Sequence, residues 1–559
     1  MTRPKKVILI IALGALILGT IVHFYVDKVI EDQLSKAISD VLEKDDETPY
    51  AFSLSSVNAN LWEGSITFRG LSILPKEAML AQLASDTSSL RMLVGMQFES
   101  LSMEGFEIRK FIATRNIEVR ELALMSPVFR YHFHARKSEN VHAEMPLELI
   151  FNDNFKKATI GSFVIEDAQI QIIDRSSAGP ELNILDFDLD VKEAYLDLET
   201  MKSFIPFTYR TIEADAEGID IDVSKDFYIR SDELFVDVDN QSIYLDNFQI
   251  NPKYDQEHFS NQYGVQKQWF AMTVDSMVVN DVAYGNFVKS AKIDIGHIDL
   301  HRPNVLLYKD KTKPPPPYQE KMLPASLLRS IGLGIEIDRI DVHNGILSIE
   351  EKFHEGVKYG TTRFEDMQVT MEGITTGRLA RDTLRTQGQA KIMGQTQVEL
   401  EMKFDLTSEN DAFLASGHCS ELNPELMNSI LGPSLGLQFK QGAISELSFQ
   451  FEADNDQSRG TLDMEYQQLK VNLQKPEKLD QKSNKFFLTA AANTIIRSNN
   501  VKGKKNYRQG QISRIRRKEK DVFPFLWHSV QSGIVSTLSP ALEKQMTKAQ
   551  QTAQPAPSP

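Results

Sequence analysis

Cysteine is nearly missing from this chain: its 559 residues contain one, Cys419. That excludes an intramolecular disulfide framework and any metal site built from several thiolates, and it fits a reducing or an oxidising compartment equally. Catalytic signatures are missing too. There is no Walker loop, no GxSxG and no HExxH. Gly332-Leu333-Gly334 lacks the third glycine and the helix start of a dinucleotide loop and reads as a turn. His132 and His134 stand two apart, on one face of a strand, yet no third metal ligand accompanies them. Asp186, Asp188 and Asp190 open like a calcium loop, but Val191 replaces its glycine and Asp197 its bidentate glutamate. They read better as the wet side of a strand whose dry side is Phe187, Leu189 and Val191. No enzymatic activity, cofactor or metal is expected.

Positive charge is scarce in the body. Residues 1–480 hold 48 Lys/Arg against 74 Asp/Glu, whereas 481–559 hold 14 against 3. An acidic body does not suit nucleic acid, and a basic carboxy-terminal segment suits anionic lipid or an acidic partner. The hydrophobic content of 41% excludes wholesale disorder.

What the chain has in quantity is strand periodicity. In Ile335 to Ile349, IEIDRIDVHNGILSI, the apolar positions and Gly345 fall at 0, 2, 5, 7, 10, 12 and 14 from the first. Steps of two mark one face of a strand. The step of three from Ile337 to Ile340 requires a bulge if that face is to be kept. The step from Val342 to Gly345 spans Asn344-Gly345 and predicts a hairpin turn. The spacing recurs from Met96, Ile117 and Ala158, and again from Met272, Ile293 and Ile335, offset by 176, 176 and 177 residues. Six copies in matched order predict a tandem duplication. At about 10–12 residues per strand, the strand region from Tyr50 to about Leu473 predicts about 40 strands.

The flanks differ. Arg3, Lys5 and Lys6 precede Val7 to Val26, twenty residues free of Asp, Glu, Lys and Arg, long enough to span a bilayer core. Val7, Ile11, Leu16, Ile21 and Val26 mark a membrane anchor with its amino end in the cytoplasm; a cleaved signal peptide is the alternative. Residues 27–44 form an amphipathic helical pattern. Pro314 to Pro317 interrupt the strands with an extended spacer or a site for a proline-binding module. Helices are expected at 324–332, 422–431, Lys485 to Arg497 and Val522 to Leu542, with a basic linker over 499–520 and a disordered tail from Thr547. The domains read as anchor 1–26, helix and turn 27–49, β halves 50–226 and 227–403, a β region 404–480, a helical and basic segment 481–545 and a tail 546–559.

The opening SSVNANLWEGSITFRGLSI (Ser55 to Ile73), following a membrane helix and an amphipathic helix, resembles the AsmA-like family of Gram-negative envelope proteins. Gly460 to Val471 is similar to that family's carboxy-terminal strand pair. Phe486-Phe487, Asn493, Arg497, Gly503, Arg516-Arg517, Phe525-Leu526-Trp527 and Gly533-Ile534 resemble the end of its bacteroidete members. The resemblance, which extends to TamB-like bridge lipid-transfer proteins, implies a single-pass inner-membrane protein with its bulk in the periplasm. It also implies a role in outer-membrane lipid homeostasis through phospholipid transfer.

The residues carry a parallel argument. Hairpin after hairpin is apolar on one side, few helices are available as cover, and an apolar face must be buried against something. Another sheet, a closed barrel or a non-protein apolar ligand would serve. The expected fold is therefore mainly β: an elongated, curled, antiparallel-rich sheet built from a tandem duplication behind a transmembrane helix, with a few peripheral helices. Its groove would hold acyl chains against Phe98, Phe106, Leu124, Phe129, Phe163, Ile165, Leu300, Leu307, Ile340 and Val342. The rival is a β scaffold that aids outer-membrane protein assembly or anchors a partner, its dry faces packed on one another. Beyond phospholipid and the inner membrane, the basic segment with Phe525-Leu526-Trp527 is expected to dock on the outer membrane or an envelope protein.

Overall fold

The structure is a computed structural model that describes residues 50–60, 63–85, 92–133, 156–175, 181–197, 199–200, 207–285, 292–331, 334–353, 360–376, 381–429, 437–473 and 497–539. The expected anchor, the amphipathic helix at 27–44, most of the helix at 485–497 and the tail lie outside these residues. Among the described residues, no helix is long and apolar enough to cross a membrane.

The protein is mainly β, and its chain divides at Leu245/Asp246 into two compact units. The first holds β1 (Tyr50–Ser53), β2 (Ser56–Asn60), β3 (Ser65–Pro75), β4 (Met92–Glu104), β5 (Asn116–Met125), β6 (Val128–Phe133), β7 (Lys157–Asp174), β8 (Glu181–Asp197), β9 (Thr211–Asp222) and β10 (Phe227–Asp237), with α1 (Glu77–Ala84) and α2 (Ile108–Thr114). β11 (Ser242–Pro252) runs across the division. The second unit holds α3 (Gln256–Tyr263), β12 (Gln268–Val282), β13 (Ile293–His301), β14 (Asn304–Asp310), α4 (Pro324–Ser330), β15 (Ile335–Lys352), β16 (Gly360–Thr375), β17 (Thr383–Ile392), β18 (Thr396–Asp405), β19 (Phe413–Leu422), β20 (Leu437–Ala453), β21 (Gln457–Leu473), β22 (Gly510–Ile515) and α5 (Val522–Leu538). The described residues thus hold 22 strands, fewer than the periodicity suggested, because single strands run to 18 residues.

The sheets are mixed. β5 and β6 lie end to end against antiparallel β4, and both pair parallel to β7. β13 and β14 stand in the same relation to β12 and β15. All other strand pairs with a described register are antiparallel. The proline run falls in the crossover from β14 to β15, where a loop needs no ladder donors.

The hairpin expected at Asn344-Gly345 does not form. β15 continues through it in one direction, with register shifts against β16 between Val342, Gly345 and Leu347. Asn344 takes the left-handed conformation (φ 56°), as do Ser126 (48°), Asp167 (55°) and Arg302 (49°) at the matching breaks. One such residue adds a step to the alternation, so apolar side chains before and after it keep the same face.

The earlier step of three lies on a second line of kinks, each carried by one residue of a strand pair. Asp281 (φ 56°) stands opposite Gly296, flanked by the pairs Asn280–His297 and Val282–Ile295. Asp338 stands opposite Gly373 (φ 80°), between Ile337–Ile374 and Arg339–Glu372. One residue of each pair is left-handed, and the register there is unbroken. A Cβ on Gly373 would lie 2.4 Å from the Thr383 carbonyl oxygen, so this position admits no side chain. The first unit has the same line in Gly105 (φ 67°), Arg120, Gly161 and Glu193 (φ 53°).

The far end of the second unit is a closed core. Ala325 of α4 and Phe525, Val530 and Leu538 of α5 pack with Met402, Phe404, Phe413, Ala415, Phe451, Leu462, Met464 and Ile512. Gly533 lets α5 approach β21 and β22; a Cβ there would lie 2.8 Å from Leu462 Cβ. Two expectations are corrected. The basic stretch 499–520 is no mere linker, since it contributes β22 to the sheet. Phe525-Leu526-Trp527 is no free docking motif: Phe525 is 2% exposed, and Leu526 and Trp527 pack against the same core. A ring in that setting contributes several kcal/mol. Phe525→Ala is expected to lower unfolding free energy by about 3–5 kcal/mol, while Leu414→Ala on the exposed side changes it by less than about 0.5 kcal/mol, both measured by urea denaturation.

Candidate functional site

β12 to β16 carry apolar side chains in rows that cross the strands. Met277, Leu300, Val342 and Val369 stand opposite one another on β12, β13, β15 and β16. Val279, Ile298, Ile340 and Met371 form the next row. Beyond the kinks at Arg302 and Asn344 come Met272, Val305, Leu347 and Phe364, then Phe270, Leu307 and Ile349. Except for Val279, all of these are half-buried. Between them Val274, Pro303 and Gly345 are buried, so among the described residues the half-buried rows flank a covered line at the kinks. The rows near α5 differ sharply: Met402, Ala415, Phe451 and Ile512, joined by the same kind of register, are at most 4% exposed.

Four of the sequence-derived groove residues, Leu300, Leu307, Ile340 and Val342, belong to these half-buried rows. The other six lie in the first unit. Leu124 stands opposite Ile165 and Leu101, and Phe129 opposite Met96 and Ile170. Phe163 stands opposite Leu122 and packs with Phe106, Phe207 and Tyr209 around Val191, which has no exposed surface. Phe106 also meets Phe111 with ring centroids 5.7 Å apart. Ile165 and Phe98 are 5% and 8% exposed. Leu124, Phe129, Phe163 and Phe106 are half-buried. Around Val191 the first unit has a packed core, whereas Leu124 and Phe129 are half-buried like the rows of the second unit.

The reverse face of β13 and β15 is polar. Asp341 accepts from Arg339 Nε (2.5 Å) and Nη2 (3.0 Å) and from Thr370 Oγ1 (2.5 Å), and it lies 2.8 Å from His297 Nε2. His343 Nε2 lies 2.8 Å from Asp299, and His343 stacks on His301 at 5.1 Å. Arg339, then Thr370 and His297, hold the Asp341 carboxyl well below its usual range despite burial. His297, Asp299 and Asp341 are close enough to converge on one cation. The Arg339 fork and the Thr370 hydroxyl already engage both Asp341 oxygens, however, so the group reads as an ion-pair network. Sequence reasoning missed it, although the signal was present: HIDLH at 297–301 and RIDVH at 339–343 repeat the same alternation in register.

Of the two histidines considered for a metal, His134 lies outside the described residues. His132 is 5% exposed and its Nδ1 lies 3.1 Å from Arg175 Nη2. Burial, with Arg175 and Arg130 nearby, pushes it down to about 4. The aspartates 186, 188 and 190 do lie on a wet side: Asp190 pairs with Lys192 at 2.5 Å and Asp188 accepts from the Asp167 amide, while Val191 is fully buried.

No protein-family model matches this chain, and no curated protein matches it.

Asp341 titrates lower in the folded than in the unfolded state, so its contribution is complete above the unfolded value near 4 and is lost as the pH falls below that. Asp341→Asn is expected to lower stability by about 1–3 kcal/mol at neutral pH. The gap from the parent protein should narrow on acidification below about pH 4, read from urea midpoints across pH.

Proposed function

We propose that the protein binds phospholipid acyl chains on the apolar face of β12–β16 and passes lipid between the membranes of a Gram-negative envelope. The observation that carries this reading is the set of half-buried apolar rows running across four strands, beside rows of the same composition that are fully covered. Apolar surface gains about 25 cal/mol per Å² when removed from water, and an acyl chain lying across such rows meets equivalent contacts at each step. No catalytic group is needed for a chain to slide along them.

In this reading the shared kinks curl the sheet into a trough, since bulged strands bend and twist more strongly. The two halves arose by tandem duplication, supported by left-handed residues recurring 176 or 177 positions apart, as at Gly105 and Asp281, Ser126 and Arg302, and Asp167 and Asn344. Val7 to Val26 anchors the chain in the inner membrane, as in the AsmA-like proteins it resembles. The rival reading, a scaffold that transports nothing, draws on the covered core under α4 and α5 and on the buried Val191 cluster.

Protein isolated without detergent is expected to carry phospholipid detectable by mass spectrometry, and repeated lipid-free preparations of folded protein would favour the scaffold. A photo-crosslinker at Val342 should capture lipid, whereas one at the buried Ile165 should capture protein. Leu300→Asp with Val342→Asp should cut bound phospholipid about tenfold, because an acyl chain beside a carboxylate forces it to lose water. Equal lipid loading with the melting curve unchanged would remove this face from consideration.

A further inference from the structure

His528 in α5 lies in electrostatic reach of Lys311, Arg514, Arg517 and Lys520, and Lys309 in reach of Lys311 and Lys520. Lys309 and Lys311 come from β14 and the residues following it, Arg514 from β22, Arg517 and Lys520 from the turn, and His528 from α5. The segments are tied by their backbones: the Lys321 amide donates to the Lys518 carbonyl at 2.8 Å, and Arg516 donates to the carbonyls of Lys321 and Lys520. The carboxylates of the cluster are Glu351, 3.1 Å from Lys311, Glu519, 2.6 Å from Arg517, and Asp521. Lys309, Arg514 and Lys520 form no ion pair among the described residues, and Arg514 Nε is buried without a hydrogen-bond partner. Lys309, Lys311, Arg514, Arg517 and Lys520 thus have these three carboxylates, two already engaged, while the neighbouring Arg516 and Lys518 are matched by Glu320, Asp411 and Asp456.

The electrostatic consequence is consistent throughout the cluster. Burial and then neighbouring positive charge depress Lys309, Arg514 and Lys520, and His528 is pushed to about 3 by burial and by Arg514, Arg517, Lys520 and Lys311. Desolvated cations without counter-charge are costly. An anion with several acceptor oxygens, such as a phosphate group, relieves that cost for all of them at once. Beside them stand the largest exposed apolar side chains of this region. Phe523 is 65% exposed three residues after Lys520, Met322 is 55% exposed next to Lys321, and Tyr318, in electrostatic reach of Arg516, is 68% exposed.

We propose that Lys309, Lys311, Arg514 and Lys520 form a site for the phosphodiester headgroup of an anionic lipid, with Phe523, Met322 and Tyr318 entering the acyl boundary of the same membrane. The exposed apolar residues favour a lipid over free phosphate, which would have no use for them. The proposal rests on the lipid-handling reading for its biological sense, but its cations, with Lys309 two residues beyond Leu307 on β14, lie past the end of the β12–β16 rows rather than within them.

The full chain, reconstituted in phosphatidylcholine vesicles, is tested for capture of a second, protein-free vesicle population. Capture is expected when those vesicles are rich in phosphatidylglycerol and absent when they are pure phosphatidylcholine. Lys309→Gln with Lys520→Gln should reduce it about 25-fold, about fivefold for each cation removed near an anionic surface. Phe523→Ser should also reduce it, and it alters no core residue, so it covers the case in which the double variant fails to fold. Equal capture of both lipids, or capture indifferent to these substitutions in folded protein, overturns the site. Thermal stabilisation by inorganic phosphate, equal in the parent and Phe523→Ser and without vesicle capture, overturns the lipid assignment in favour of free phosphate. The Leu300→Asp, Val342→Asp protein separates the two readings: full vesicle capture with lipid loading lost supports this site independently of the trough. Vesicle capture lost with lipid loading retained in Lys309→Gln, Lys520→Gln supports it too, and leaves the trough intact.

Discussion

The structure depends on keeping one side of each strand apolar over lengths at which a strand ordinarily loses its phase. A strand of 18 residues such as β15 must twist, and its neighbours must twist with it. This chain inserts single left-handed residues at two levels and aligns them across partners. Where the kinks coincide, as at Ser126 beside Asp167 and Arg302 beside Asn344, the hydrogen-bond register passes through unbroken. The residue types follow from this demand. Glycine, aspartate and asparagine tolerate positive φ and fill most of these kinks, with Ser126, Glu193 and Arg302 at the others, and glycine also admits the close approach of the next backbone.

With the face fixed, what differs along the second unit is what covers it. α4 and α5 supply the cover at one end, and there the apolar residues are nearly inaccessible. Across β12 to β16 the same kinds of residue stand half-exposed in rows. The polar reverse side of β13 and β15 is internally matched, carboxylate to guanidinium and imidazole, and makes no demand for an outside charge.

The apolar periodicity was legible, and so were α4, the short helical turn at Pro424–Met427 and most of α5. Chain direction was not. Asn344-Gly345 has the chemistry of a tight turn, and the same left-handed preference serves a bulge inside a continuing strand. Which one forms is decided by β13, β14 and β16, whose pairing no local window contains. β22 was hidden for a related reason: Gly510, Ile512 and Arg514 alternate correctly, but five of the seven residues Arg514 to Lys520 are basic, and charge obscured a strand only six residues long. The pattern placed the proposed groove residues on the apolar side of their strands but could not tell the buried Ile165 from the half-buried Val342. Coverage belongs to the tertiary structure.

The proposed lipid-binding function asks for no catalytic motif. A site that recognises hydrocarbon needs neither directed hydrogen bonds nor a fixed residue at any one position, because hydrophobic contact is non-directional and scales with area. Val, Ile, Leu and Met then serve equally well in each row, provided the row stays apolar and in register. Such a surface leaves no short motif in the sequence. Its signature is the conserved phase of the alternation through every kink, the feature that the left-handed residues of both units maintain.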